Sequence, residues 1–176
     1  NIFPSNIQGL PTWFTIRVSK NGYLARREQA EVVVAINKAS ILEDIQNLPP
    51  GGICLYPDDL QLPISRDDLT FYPMPVNELV KQSGAEARLK PYVANMVYVG
   101  TLASLLAIDL QEIESGLLYH FKGKQKAMDL NYATAKAAYD WAQLHLAKTD
   151  PFRVERMNRT EGTFLIDGNS AAALGA

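Results

Sequence analysis

Val32-Val33-Val34-Ala35-Ile36, then Ile41, Ile45 and Leu48 at helical spacing, then Pro49-Pro50-Gly51-Gly52 and Ile53-Cys54-Leu55-Tyr56: this stretch decides the fold. A continuously apolar pentapeptide bounded by charge reads as a strand covered on both faces, the environment of a parallel sheet. Asn37 or Ser40 caps the helix that follows, which keeps Ile41, Ile45 and Leu48 on one face until the Pro-Pro-Gly-Gly run stops it. Ile53 to Tyr56 makes the next buried strand. Strand, helix and strand form a βαβ unit, for which a right-handed crossover is expected.

Upstream, Thr12 to Val18 alternates with aromatic and β-branched residues, and Tyr23 to Arg27 pairs with it across the Asn21-Gly22 turn, which predicts a hairpin. Downstream, Thr70-Phe71-Tyr72 reads as a further strand, followed by a helix from about Asn77 to Gln82. Helices then dominate: about Pro91 to Ala107, Leu110 to Phe121 and Leu130 to Ala147, with Asp109 and Asn131 as caps. Asp150-Pro151 closes the last of these. Phe152 to Gly162 reads as a polar linker with solvated arginines. Thr163-Phe164-Leu165-Ile166 reads as a strand, Asp167-Gly168-Asn169 as turn and cap, and Ser170 to Ala176 as the start of a helix. A helix that short is marginal in water, so this reading expects further elements to follow in a longer polypeptide. A sheet-rich front and a helix-rich back define an α/β layered domain.

The 176 residues, 47% hydrophobic, suffice for one ordinary core with a tail. A formal net charge of −2 with thinly spread basic residues leaves no electrostatic footprint for nucleic acid or an anionic membrane. The lone Cys54 sits in an apolar run and reads as a small buried hydrophobe. One cysteine forms no internal disulfide and holds no iron–sulfur cluster. Asn158-Arg159-Thr160 has the form of a glycosylation acceptor, but without a signal peptide or disulfide framework a reducing cytoplasm is the expected compartment. Pro91 to Ile108 carries no charge and reaches the lower length limit for a membrane span. Asn95, Gly100, Thr101 and Ser104 interrupt it, and no aromatic belt brackets both ends, so a buried core helix is the reading.

Chemistry is sparse. Dinucleotide folds bring backbone amides up to a pyrophosphate through a Gly-rich loop, and no G-x-G-x-x-G follows any predicted strand. Gly123-Lys124 is followed by Gln125, which breaks the P-loop pattern. His120 and His145 lie on separate predicted helices without metal-ligand spacing, so no metal site is expected, and no G-x-S-x-G elbow presents a nucleophile. Asp58-Asp59 and Asp67-Asp68 read as surface turn residues, because neighbours in a loop diverge. Pro4-Ser5-Asn6-Ile7-Gln8-Gly9-Leu10-Pro11-Thr12-Trp13 is richest in small polar groups; it reads equally as a ligand-facing loop or as an ordered turn feeding the hairpin. Asn95, an amide within an apolar helix, calls for a structural hydrogen-bond partner or a ligand.

Taken together, Phe3 to Phe14, Tyr92-Val93-Ala94-Asn95-Met96-Val97-Tyr98-Val99-Gly100, His120-Phe121-Lys122-Gly123-Lys124 and Asp167-Gly168-Asn169 through Gly175-Ala176 resemble the 2-oxoacid:ferredoxin oxidoreductases. The resemblance is to the large subunit in which a gamma-type domain is fused ahead of the thiamine-diphosphate pyrimidine domain. It implies a three-layer Rossmann-like α/β gamma domain with a mixed sheet and a helix-rich C-terminal half. By it, residues 1–147 are the gamma domain without its N-terminal Gly-rich unit, 148–162 a linker, and 163–176 the start of the pyrimidine (alpha) domain.

The resemblance also implies a multidomain oxidoreductase acting on the oxo group of a 2-oxoacid, with 2-oxoglutarate favoured. The thiamine ylid attacks the ketone, carbon dioxide leaves, electrons pass singly through iron–sulfur clusters to ferredoxin, and coenzyme A accepts the acyl group. Thiamine diphosphate, magnesium, an iron–sulfur cluster and coenzyme A are thus cofactors implied for the parent complex. Its implied partners are the remaining alpha domains in cis, a thiamine-binding beta subunit and ferredoxin. No catalytic residue is named within this chain, which alone is expected to be inactive. The gamma domain of such enzymes is implicated in coenzyme A access, and this carries over to Ser5, Gln8, Gly9 and Thr12 as a ligand-facing loop with Asn95 behind it. Many gamma subunits have Arg-Gly-Gly where this chain has Gln8-Gly9-Leu10, so direct anion binding by an arginine is not implied. Two other readings of the residues are a stand-alone nucleotide-binding domain, from the βαβ unit, and a structural interface, from the small apolar face Ala94, Gly100, Ala103 and Ala107.

Overall fold

The computed structural model describes residues 12–23, 25, 27–158, 161–164 and 166–175. At its centre β1 (Val32–Val34), β2 (Ile53–Pro57) and β3 (Thr70–Met74) form a parallel sheet in the order β1-β2-β3. Val32 stands opposite Ile53, and Ile53 opposite Thr70. Strand side chains alternate between faces, and both faces here are apolar. Val32, Val34, Ile53, Leu55, Tyr72 and Met74 point to one core; Val33, Cys54, Tyr56 and Phe71 point to the other.

The second face is covered by α1 (Ile41–Gln46) through Ile41 and Ile45, together with Leu48 and the loop side chains Leu60, Leu62 and Ile64. The first face is covered by α2 (Val76–Gln82), α3 (Lys90–Leu105) and α5 (Gln125–His145) through Val76, Leu79, Val80, Val97, Leu105 and Ala138. Helix, sheet and helix are the three layers of an α/β domain. Between α3 and α5 lies α4 (Leu110–Phe121), in which only Leu117 is buried. A last helix, α6 (Gly168–Gly175), buries no residue; its start is capped by Asp167, whose Oδ1 accepts the Ser170 amide at 3.0 Å.

Close packing of α3 on α5 depends on Gly100. A Cβ there would collide with the Ala135 carbonyl oxygen, so the two backbones approach as closely as only glycine permits. Gly100 and Ala103 are therefore consumed inside the chain, and the small face considered from sequence as an interface is largely internal packing. Among the described residues no helix is long and apolar enough to cross a membrane.

Several local expectations are corrected. Residues 12–19 form no strand, and among the described residues no hairpin stands across Asn21-Gly22; only a turn does, closed by the Gly22 amide on the Ser19 carbonyl at 3.1 Å. The strands described are accordingly all parallel. The described part of 163–166 is not a strand either. Asn131 does not cap α5, which begins six residues earlier; instead its Nδ2 donates to the Ala127 carbonyl at 2.7 Å. Asp109 does occupy the N-cap position of α4, with no side-chain cap bond.

The segment after α5 departs most from its sequence reading. Asp150 is buried, and Phe152 packs against the first core. The Val154 amide donates to the Leu106 carbonyl at 2.7 Å, which satisfies one of the orphan acceptors at the end of α3. Here a polar sequence is tightly docked.

Candidate functional site

Ser5, Gln8 and Gly9 lie outside the described residues. Thr12 is exposed, in a segment without regular secondary structure. That segment is tied down at its next residue, where Trp13 Nε1 donates to Asp44 Oδ1 at 2.6 Å; the other Asp44 oxygen accepts the Ser40 hydroxyl at 3.0 Å. Asp44 is a buried carboxylate on α1, so its donors satisfy a charge that would be costly alone. It also bears on Cys54: burial first, and then the Asp44 charge, push that thiol up to about 12, and it is inert.

Asn95 lies on α3, in the layer on the opposite side of the sheet from α1. It is exposed, and among the described residues its amide has no hydrogen-bond partner. One turn of helix separates it from the exposed Val99 in one direction and from the exposed Tyr92 in the other, so α3 presents a partly apolar strip to solvent. Thr12 and Asn95 are thus held by different layers. The helix carries apolar residues on every side, which is why the sequence alone does not tell its exposed side from its buried one.

The paired acids resolve into structural roles. Asp59 Oδ2 accepts the Asn77 amide at 2.8 Å. Asp68 engages Arg66, which also donates to the Ile45 and Leu48 carbonyls at 2.9 Å each and so caps the C-terminal end of α1. That guanidinium hydrogen bond holds the Asp68 carboxyl below its ordinary range. His145 is exposed and stacks on Trp141 at 5.0 Å between ring centres. Lys122 and Gly123 both take left-handed backbone (φ 42° and 87°) in the tight α4–α5 turn, which accounts for the glycine of His120-Phe121-Lys122-Gly123-Lys124. Among the described residues no group of three His, Cys, Asp or Glu side chains could hold a metal ion. A groove of about 580 Å³ lined by Arg27, Glu28, Gln29 and Asn47 is polar and open.

The densest buried polar cluster was not anticipated. Tyr72 Oη, on β3, donates to Asp150 Oδ2 at 2.6 Å and accepts the Thr149 amide at 3.1 Å. Asp150 Oδ1 accepts Lys148 Nζ at 2.6 Å and the Phe152 amide at 2.9 Å, and its side chain is only 1% exposed. Burial pushes this carboxyl up, but the bonds from Lys148, Tyr72 and the Phe152 amide outweigh it and hold Asp150 below the ordinary aspartate range. Burial and the bond to Asp150 raise Tyr72, which stays the proton donor. The partners lie 78 residues apart, so no local pattern announces them.

The sequence matches the family described as pyruvate ferredoxin/flavodoxin oxidoreductase over residues 1–141. Subunit VorA of a ketoisovalerate oxidoreductase from Methanothermobacter marburgensis is 27% identical over 118 residues, which is 66% of this chain and 24% of that one. Subunit alpha of 2-oxoacid:ferredoxin oxidoreductase 2 from Aeropyrum pernix is 18% identical over 98% of this chain and 33% of its own. The chain therefore spans between about a quarter and a third of the length of these curated relatives. Among solved structures, a 2-oxoglutarate:ferredoxin oxidoreductase from Magnetococcus marinus with 2-oxoglutarate, coenzyme A and succinyl-CoA bound superposes with TM-score 0.68 at 23% identity. The superposition covers 84% of this chain and 26% of that one. The gamma subunit of a keto/oxoacid ferredoxin oxidoreductase from Geobacter sulfurreducens gives 0.52 at 21% identity, covering 66% of each chain. At these identities the structural likeness establishes the fold.

Proposed function

The chain belongs to the pyruvate ferredoxin/flavodoxin oxidoreductase family, and on that premise we propose that it serves as the gamma-type part of an enzyme that oxidatively decarboxylates a 2-oxoacid to its acyl-CoA and passes the electrons to ferredoxin. The family match over residues 1–141 carries this reading, and the fold shared with domains of such oxidoreductases supports it. Residues 1–147 are the gamma-type domain, 148–162 the connection and 163–176 the opening of the pyrimidine domain. Thiamine diphosphate with magnesium supplies the carbanion chemistry and the clusters the one-electron steps; in this reading both are held elsewhere in the complex, by the remaining alpha domains and a beta subunit.

This domain's own contribution is to wall the site and shape the coenzyme A path through Ser5, Gln8, Gly9 and Thr12, with Asn95 as a second polar group. Next to Thr12, Trp13 is bonded to Asp44. Assay of the intact complex with Gln8→Ala and Asn95→Ala tests the assignment: KM for coenzyme A rises while KM for the oxoacid holds. Unchanged coenzyme A kinetics in both variants would remove it. A panel of 2-oxoglutarate, pyruvate and 2-oxoisovalerate measures the preference, with 2-oxoglutarate giving the highest kcat/KM.

A stand-alone nucleotide-binding role fits less well. The β1–α1 connection, Ala35-Ile36-Asn37-Lys38-Ala39-Ser40, contains no glycine to let a pyrophosphate approach the backbone.

A further inference from the structure

We infer that residues 148–156 are a fixed strap rather than a tether, and that Tyr72 and Asp150 are its clasp, so that the chain beyond them leaves the domain from one set place. The strap is pinned to successive elements of the fold. On β3, Tyr72 holds Asp150 and the Thr149 amide. At the end of α3, the Leu106 carbonyl accepts the Val154 amide. On α4, Glu112 pairs with Arg156 at 2.9 Å on the surface. Between these points Phe152 packs onto the core.

The clasp accounts for the docking of so polar a sequence. A buried carboxylate is tolerated only when its oxygens are satisfied, and Asp150 takes donors from Tyr72, Lys148 and Phe152. Two of those donors belong to the strap itself. Seating Asp150 therefore folds residues 148–152 around it, and Tyr72 fixes that knot to the sheet. Flexible linkers have no comparable long-range bonds and sample many directions. The surface pair at Arg156 adds little on its own.

Hydrogen exchange by mass spectrometry on the full-length protein in its complex tests the inference. Backbone amides of 149–156 are expected to be protected in the wild type. Tyr72→Phe speeds their exchange about tenfold, as loss of one bond to a buried charged group implies, while peptides of α3 and α5 keep their rates. Tryptic cleavage after Arg153 and Arg156 rises in parallel. Val154→Pro, which removes one strap amide without touching the sheet, loosens the same peptide and decides the matter should Tyr72→Phe perturb the whole domain. Unprotected amides in the wild type, or exchange of 149–156 unchanged in Val154→Pro, or accelerated equally across the domain in that variant, would overturn the proposal.

Discussion

Two extended segments flank the layered core, and their fates are the reverse of their hydropathies. Residues 12–18 alternate aromatic and β-branched side chains as a half-buried strand would, yet Phe14, Ile16 and Val18 are 76%, 73% and 68% exposed. Residues 148–156 carry charge at five positions, yet Asp150 and Phe152 are drawn into the domain. Alternation is a demand for a partner strand, and among the described residues none answers it. Polar groups dock when each finds a donor or acceptor in place, and for Asp150 every partner is there. Hydropathy describes what a segment would gain from burial; available partners decide whether burial happens.

The scale for that contrast is set by the α3–α5 contact. Gly100→Leu places a side chain against the Ala135 carbonyl and is expected to cost about 3 kcal/mol or more, read as a fall in Tm or a failure to fold. Asp150→Ala comes next. It strands Tyr72 Oη and the Phe152 amide, at a cost of about 2–3 kcal/mol by urea denaturation. Trp13→Phe, which removes the bond from the first segment to α1, costs about 1 kcal/mol. Phe14→Ser and Ile16→Ser change stability by no more than about 0.5 kcal/mol. If these last two instead cost as much as Asp150→Ala, segment 12–18 is buried in the working protein and the contrast fails.

Acid sharpens the same comparison. Asp150 titrates below the ordinary aspartate range when folded, so its contribution is complete above that range and is lost as pH falls through the depressed value, below about pH 4. Tyr72→Phe, already lacking one of the bonds that depress Asp150, shows a smaller further loss between pH 5 and pH 3 in thermal denaturation.

Legibility from sequence followed the range of the interactions. The three strands and the helices α1 to α4 lay within a few residues of their expected places, because buried apolar runs, helical periodicity and Pro/Gly stops are local signals. Errors came where partners were distant. The Tyr72–Asp150 bond spans 78 residues and the Trp13–Asp44 bond 31, and neither leaves a motif. For Asn95 the sequence leaves a structural partner and a ligand both open, because α3 is apolar all round, and only the fold shows which side faces α5 and which faces solvent. Of the proposed loop, Thr12 is the residue described, exposed beside the Trp13 anchor.

By itself, the sequence determined the βαβ unit, the α/β class and, through its motif segments, the family. Each rests on residues close along the chain, whose side-chain periodicity is fixed by backbone geometry. Tertiary structure alone decided the seating of polar residues 148–156, the exposure of apolar residues 12–18 and the internal use of the Gly100–Ala103 face. Burial is a property of what else arrives at a place, and the chain's local pattern carries no record of that.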